Sequence, residues 1–182
     1  MSVFTNATAS GQSKAYVSAI LEVLGPRDPM EVLRTTPAAH RAILQHFPAP
    51  YLGIPEGPGK WSAQQLLQHL ADSELVWGYR IRMTLAEDKP PLHRWDQDAW
   101  SDRLHYQDAD IWEALDLLTF LRRVNLRLLS RATDADLTRV GLHSERGEES
   151  LEHSIRLYAG HDLVHLRQLE RIRSAVMPKQ SG

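Results

Sequence analysis

Apolar residues recur at intervals of three and four along five stretches of this chain, and no stretch sustains the period of two with β-branched enrichment that marks a strand. That periodicity predicts an all-α fold with helices near Ser13–Leu24, Met30–Gln45, Ser62–Ala86, Asp108–Arg131 and Ser150–Val176. Gly25-Pro26 should stop the first helix, and Asp28 followed by Pro29 suits the cap and first position of the second, where proline has no helical amide bond to lose. Pro37 stands against unbroken continuation of that second helix. A Pro- and Gly-rich linker, Pro48 to Gly59, leads to the long helix capped by Ser62. The longest connection, Glu87 to Gln107, holds Pro90-Pro91 and two tryptophans; such a loop either serves function or hides short helices. Gly141 to Glu149 is a second polar connection.

The three long helices each present one apolar stripe, as members of an antiparallel bundle do. The stripes are Leu66, Leu70, Trp77, Ile81 and Thr84; Ile111, Ala114, Leu118, Leu121 and Leu128; and Leu151, Ile155, Tyr158, Leu169, Ile172 and Val176. Asn125 interrupts the second stripe and is expected to make an inter-helix hydrogen bond. At 182 residues the expectation is a single domain over 1–182.

A formal net charge of -2, with Arg interleaved among Asp and Glu, argues against a nucleic-acid partner. The sequence has no apolar run long enough for a membrane span, and Met1–Asn6 lacks the basic and apolar regions of a signal peptide, so a cytoplasmic address is expected. With no cysteine, any metal must be held by nitrogen and oxygen.

The nine histidines therefore bear examination. His161 and His165 are four apart, so on a helix their imidazoles differ by about 40° around the axis and project from one face, at the inward edge of the stripe. His69 sits at the margin of the stripe on the earlier long helix and can face the same interior. Three neutral imidazoles would make a nitrogen-rich site with open positions for water or substrate. The bland alternative is three core histidines with ordinary hydrogen bonds. His153 points away from its stripe, and His40, His46, His93, His105 and His143 lie in short or irregular segments and are read as solvated.

The stretch Lys60-Trp61-Ser62-Ala63-Gln64-Gln65-Leu66-Leu67-Gln68-His69-Leu70-Ala71-Asp72-Ser73-Glu74 resembles the opening of the second bundle helix in the DinB-like superfamily, also called the YfiT-like metal-dependent hydrolases. Gly160-His161-Asp162-Leu163-Val164-His165-Leu166-Arg167-Gln168 resembles that family's last-helix motif. Trp95-Asp96-Gln97-Asp98-Ala99-Trp100 and Arg146-Gly147-Glu148 look like its intervening loop signatures, so the resemblance runs from about Met30 to Arg173. The resemblance implies a DinB-like four-helix bundle, here with an additional N-terminal helical segment, and one divalent metal per chain on His69, His161 and His165. It also implies metal-dependent transfer using a low-molecular-weight thiol such as bacillithiol or mycothiol, or an isomerisation related to that of maleylpyruvate. Zinc or nickel is the expected metal, with iron and copper also suited to three imidazoles.

The chain supplies no thiol of its own, so a small-molecule thiol and an electrophile are the expected partners. Arg80 and Arg122, near the inward edges of their helices, can receive carboxylates of such a thiol; the ordinary reading is surface arginines. Hydrolysis of a small ester or amide and a non-catalytic metal- or ligand-binding role are the alternatives. Asp162 stands where the zinc-protease pattern of two His has Glu, one methylene too short, and suits a capping or supporting carboxylate instead. A homodimer is expected, with Val17, Ile20, Leu21 and Leu24 contributing to its interface unless they pack on their own bundle. Trp95, Asp96, Gln97, Asp98 and Trp100 are expected to border the open metal position.

Overall fold

The computed structural model describes residues 10–178, and side chains from Lys14 onward. The Met1–Asn6 segment lies outside the described residues. In chain order the elements are α1 (Ser10–Leu24), α2 (Pro29–Gln45), α3 (Ala63–Ala86), β1 (Pro91–Leu92), α4 (Gln97–Arg103), α5 (Ile111–Leu129), α6 (Asp134–Leu137), β2 (Val140–His143), β3 (Gly147–Ser150) and α7 (Leu151–Val176). Their ends follow from local chemistry. Asp28 accepts from the Met30 amide, Ser62 and Gln65 form a reciprocal capping box, and Asp110 and Ser150 cap α5 and α7. Among the described residues no helix is long and apolar enough to cross a membrane.

The bundle consists of α2, α3, α5 and α7, with α1 packed on α7. Its apolar interior is in two layers. One contains Ile43 and Leu44 of α2, Leu66 and Leu70 of α3, Ile111 and Leu118 of α5, and Leu169 and Ile172 of α7. The other contains Val32 and Leu33, Trp77 and Ile81, Leu129, and Leu151 and Ile155. Each helix crosses from one layer to the other, and the order of crossing gives the topology: α3 and α5 run in one direction, α2 and α7 in the opposite one. Because the neighbours α3 and α5 are parallel, the chain must return the length of α3, about 36 Å at 1.5 Å per residue, before α5 begins. That return explains the length of the connection after Glu87, which holds β1 and α4 on the way.

Among the described residues three short strands accompany the helices, a feature that hydrophobic period alone does not reveal. β1 pairs in parallel with β2, and β2 pairs antiparallel with β3. Strands of two and four residues are too short for an alternation to stand out in the sequence. The hairpin turn places Gly147 at φ +79°, and Gly141 admits Leu92, whose side chain would lie within 2.5 Å of a Cβ there.

Pro37 does not interrupt α2; the helix runs through it to Gln45. Proline at 37 leaves the Leu33 carbonyl without its helical donor, and Arg122 of α5 supplies a replacement at 2.7 Å. Of the residues expected at a dimer interface, Ile20 and Leu24 are buried within their own bundle. Ile20 lies directly over Gly160 of α7, where an added Cβ would come within 2.6 Å of the Ile20 backbone oxygen.

Gly160→Ala should therefore push α1 off α7 and destabilise the chain by about 1–3 kcal/mol, the usual cost of overpacking a close contact. Urea unfolding checks this; a midpoint at or above that of the parent chain contradicts the close approach, since alanine otherwise favours a helix interior.

Candidate metal centre

Between the two apolar layers every bundle helix contributes polar side chains to one cross-section: Thr36 and His40 from α2, His69, Ser73 and Glu74 from α3, Arg122 and Asn125 from α5, and Tyr158, His161, Asp162 and His165 from α7. All are buried. Polar groups buried this deeply are costly unless paired, and most of these are; His40 Nε2, His69 Nδ1 and His161 Nδ1 have no hydrogen-bond partner among the described residues. Arg122 is the hub. It forks onto Asp162 with bonds of 2.7 and 3.0 Å, donates to Glu74 at 2.6 Å, and reaches Thr36 Oγ1 at 3.0 Å as well as the Leu33 carbonyl. Its guanidinium lies over the Tyr158 ring, 4.8 Å from the centroid. Thr36 also donates to Asp162. Asn125 donates to the Glu74 carbonyl and carboxylate and accepts from Arg82, which is the inter-helix role expected of it. Burial holds the Glu74 carboxyl above the usual range despite Arg122.

One expectation changes here and another becomes specific. Arg122 is fully engaged within the bundle and cannot receive a substrate carboxylate. Asp162 has both oxygens committed to Arg122 and Thr36, so it acts as a counter-ion rather than a base facing the histidines.

On the other side of the same section, His69, His161 and His165 converge. The one-turn spacing on α7 aims both imidazoles at α3, where His69 meets them. His161 Nε2 lies 3.1 Å from His165 Nε2 and 3.4 Å from His69 Nε2, and one ligand atom from each ring fits within 4.8 Å of the others. Ligands about 2.05 Å from a tetrahedral ion stand about 3.3 Å apart, so these separations suit three donors to one ion. His165 Nδ1 lies 2.8 Å from Gln168 Oε1; an amide oxygen only accepts, so Nδ1 bears the proton and Nε2 presents its lone pair. Lone pairs meeting at these distances repel unless a proton or a cation lies among them, and the donor set is the nitrogen-only one that a cysteine-free chain allows. The residues present thus fit a divalent metal.

Electrostatics points the same way. Burial is the largest cause lowering all three imidazoles, with neighbouring imidazole charge adding for His69 and His161; those two fall well below the usual value and His165 to about 4. At neutral pH the rings are uncharged, as ligation requires.

The connection expected to border the site does so at Trp95. Trp95 stacks on His69 at 5.3 Å with 13° between planes, Trp100 meets Trp95 edge-on, and Trp61 tilts against His69 at 4.9 Å. Asp96 instead caps α4 through the Ala99 amide. His46, His93 and His105 are exposed as expected, but His40 and His143 are buried. For His40 the sequence did contain a signal: it lies one turn after Thr36 and Pro37 on the inward face of α2.

Five buried histidines, His40, His69, His143, His161 and His165, have lowered pKa values. The unfolded chain, with histidines near 6.5, takes up protons that the folded chain excludes, so metal-free stability must fall as pH drops from about 6.5 toward 4. Glu74 works in the opposite sense as a single group. Urea midpoints of metal-free protein should be lower at pH 5 than at pH 7; equal midpoints contradict neutral burial of the imidazoles.

Comparison with known proteins agrees with this geometry. Residues 30–169 match the family model described as the DinB superfamily. YfiT of Bacillus subtilis (strain 168), whose name assigns it provisionally to the metal-dependent hydrolases, is 30% identical over 146 residues, 78% of this chain and 82% of that one. A similarly named protein of Geobacillus thermodenitrificans is 27% identical over 143 residues, 78% of this chain and 80% of the relative. The solved structure of YfiT, described as having an unusual four-helix bundle topology, superposes with a TM-score of 0.72 at 28% identity, covering 81% of this chain and 91% of the other.

Proposed function

The chain belongs to the DinB superfamily, and from that premise we propose that it is a metal-dependent enzyme holding one divalent ion on Nε2 of His69, His161 and His165. The supporting observation is the convergence of three buried, neutral Nε2 atoms with no carboxylate among them. A divalent ion bound there supplies Lewis acidity that lowers the pKa of a thiol or water ligand. Three neutral ligands leave the ion's full charge available for that purpose, where a carboxylate ligand would offset part of it.

The protein's own contribution is orientation and exclusion of water. Gln168 fixes the tautomer of His165, and the Arg122 network holds α7 in register with α3. Trp61 and Trp95 shield His69 with apolar rings, which strengthens electrostatics inside the site. Transfer of a low-molecular-weight thiol to an electrophile, the reaction that the family resemblance implies, is the leading reading; with no cysteine in the chain the thiol would arrive as a cosubstrate, and Asp162 is not free to act as a general base toward a water. Hydrolysis of a small ester or amide is the second reading, favoured by the names of the relatives. Zinc or nickel is the proposed metal.

His69→Ala, His161→Ala and His165→Ala should each reduce metal content well below one ion per chain, and His153→Ala should not. Gln168→Ala should weaken metal affinity by about 10- to 100-fold, the usual effect of removing the group that orients a ligand. Elemental analysis and competitive chelation measure both, and full occupancy in all three triad variants contradicts the site. Zinc- or nickel-loaded protein supplied with bacillithiol or mycothiol and an electrophile should consume thiol only with metal present. Ester cleavage without thiol identifies the hydrolase instead.

A further inference from the structure

A second group of buried charges lies away from the triad, where the β2–β3 hairpin closes over α3 and the start of α7. Arg80 of α3 is 7% exposed. It donates to the His93 carbonyl and rests over Trp77, 5.6 Å from the ring centroid, yet its Nε is buried without a hydrogen-bond partner. Arg146, in the hairpin turn, donates through Nε to Glu149 at 2.6 Å, but its Nη2 is likewise buried and unpartnered. Glu149 is the carboxylate of the cluster, and its other oxygen is taken by Ser154 at 2.7 Å. His143, at the end of β2, uses Nδ1 to accept from the Glu145 amide. The phenol of Tyr16 on α1 also lies within the field of both guanidiniums. Glu149 is thus the one carboxylate shared by two guanidiniums among the described residues, and two of their N–H donors, Arg80 Nε and Arg146 Nη2, have no hydrogen-bond partner there.

Such an arrangement is costly unless an anion completes it. We propose that Arg80 and Arg146 form a receptor for one oxyanion, a carboxylate or phosphate group, seated between the hairpin and α3. The planar fork of donors on a guanidinium matches the oxygens of both groups. Arg80 is lowered to about 10 chiefly by burial and then by Arg146, and burial followed by Arg146 and Arg80 brings His143 to about 4. His143 therefore stays neutral and adds no charge, while each guanidinium raises the potential at the other. The Arg146 side chain is 18% exposed. The receptor is separate from the triad: Arg80 follows His69 by eleven residues on α3, on nearly the same face but about 16 Å further along the axis.

The test uses the full-length, metal-free chain, titrated separately with sodium phosphate and sodium acetate at constant ionic strength, with calorimetry and NMR of the arginine Nε–Hε resonances. One equivalent of at least one anion should bind saturably and shift the Arg80 and Arg146 resonances. Arg80→Gln should weaken that binding about tenfold or more, as loss of a buried charged donor does, while a change at the exposed Arg103 of α4, Arg103→Gln, should not. Preference between the two salts decides carboxylate against phosphate. Should Arg80→Gln fail to fold, the titration of the parent chain decides by itself. Non-saturating shifts with both salts, meaning that water alone satisfies these donors, or saturable binding that leaves the Arg80 resonance in place, overturns the proposal.

Discussion

The guanidinium of Arg122 is buried where α2, α3, α5 and α7 meet, and a charge taken so far from water persists only if every donor finds an acceptor in the right place. Its partners come from three other helices: the Leu33 carbonyl and Thr36 hydroxyl of α2, Glu74 of α3, and Asp162 of α7. A one-residue slip of any of these would rotate its partner out of reach by about 100°. Apolar side chains in the flanking layers tolerate such adjustments far better, because dispersion has little directionality. The desolvation of three charged groups offsets much of their mutual attraction, so the cluster contributes more to register than to net stability. Proline at 37 has a place in the same account, because it frees the carbonyl that Arg122 takes.

Register in turn positions the imidazoles. Asp162 follows His161 directly, and Glu74 follows His69 by five residues, so the ion cluster and the triad are opposite sides of one polar layer. Locking Asp162 and Glu74 onto Arg122 sets the rotation of α7 and α3 about their axes, and that rotation determines whether three Nε2 atoms meet within a few ångströms. The parallel run of α3 and α5 has a further consequence. It forces a long return of the chain, and that return brings Trp95 onto His69 as the roof of the site.

Much of this was legible in the sequence. The helical periods, the capping residues and the one-turn spacing of His161 and His165 are local signals that do not depend on packing. The position of His69 at the margin of its stripe offers it as the third member of the set, and the family motifs join the three. Arg122 and Asp162 were harder, because a charged residue inside a bundle is rare and its partner lies 40 positions away in sequence. Burial of His40 and His143 depends on the same long-range arrangement. The three strands were too short to show a period, and the parallel order of α3 and α5 becomes visible only when residues of one apolar layer are assigned to each helix. Asp96 illustrates the reverse case: a residue in a suggestive loop motif is occupied with capping a short helix.

The central claim is that the register imposed by Arg122 aims three imidazole nitrogens at one ion. X-ray absorption at the metal edge of zinc- or nickel-loaded protein tests it most directly, since the ligand nitrogens and the outer atoms of the imidazole rings give a distinct scattering pattern. The account predicts three imidazoles about 2.0–2.1 Å from zinc, with Arg122→Met reducing their number because α7 loses its register with α3. A first shell made of oxygen alone, or three imidazoles retained unchanged in a folded Arg122→Met variant, would contradict it.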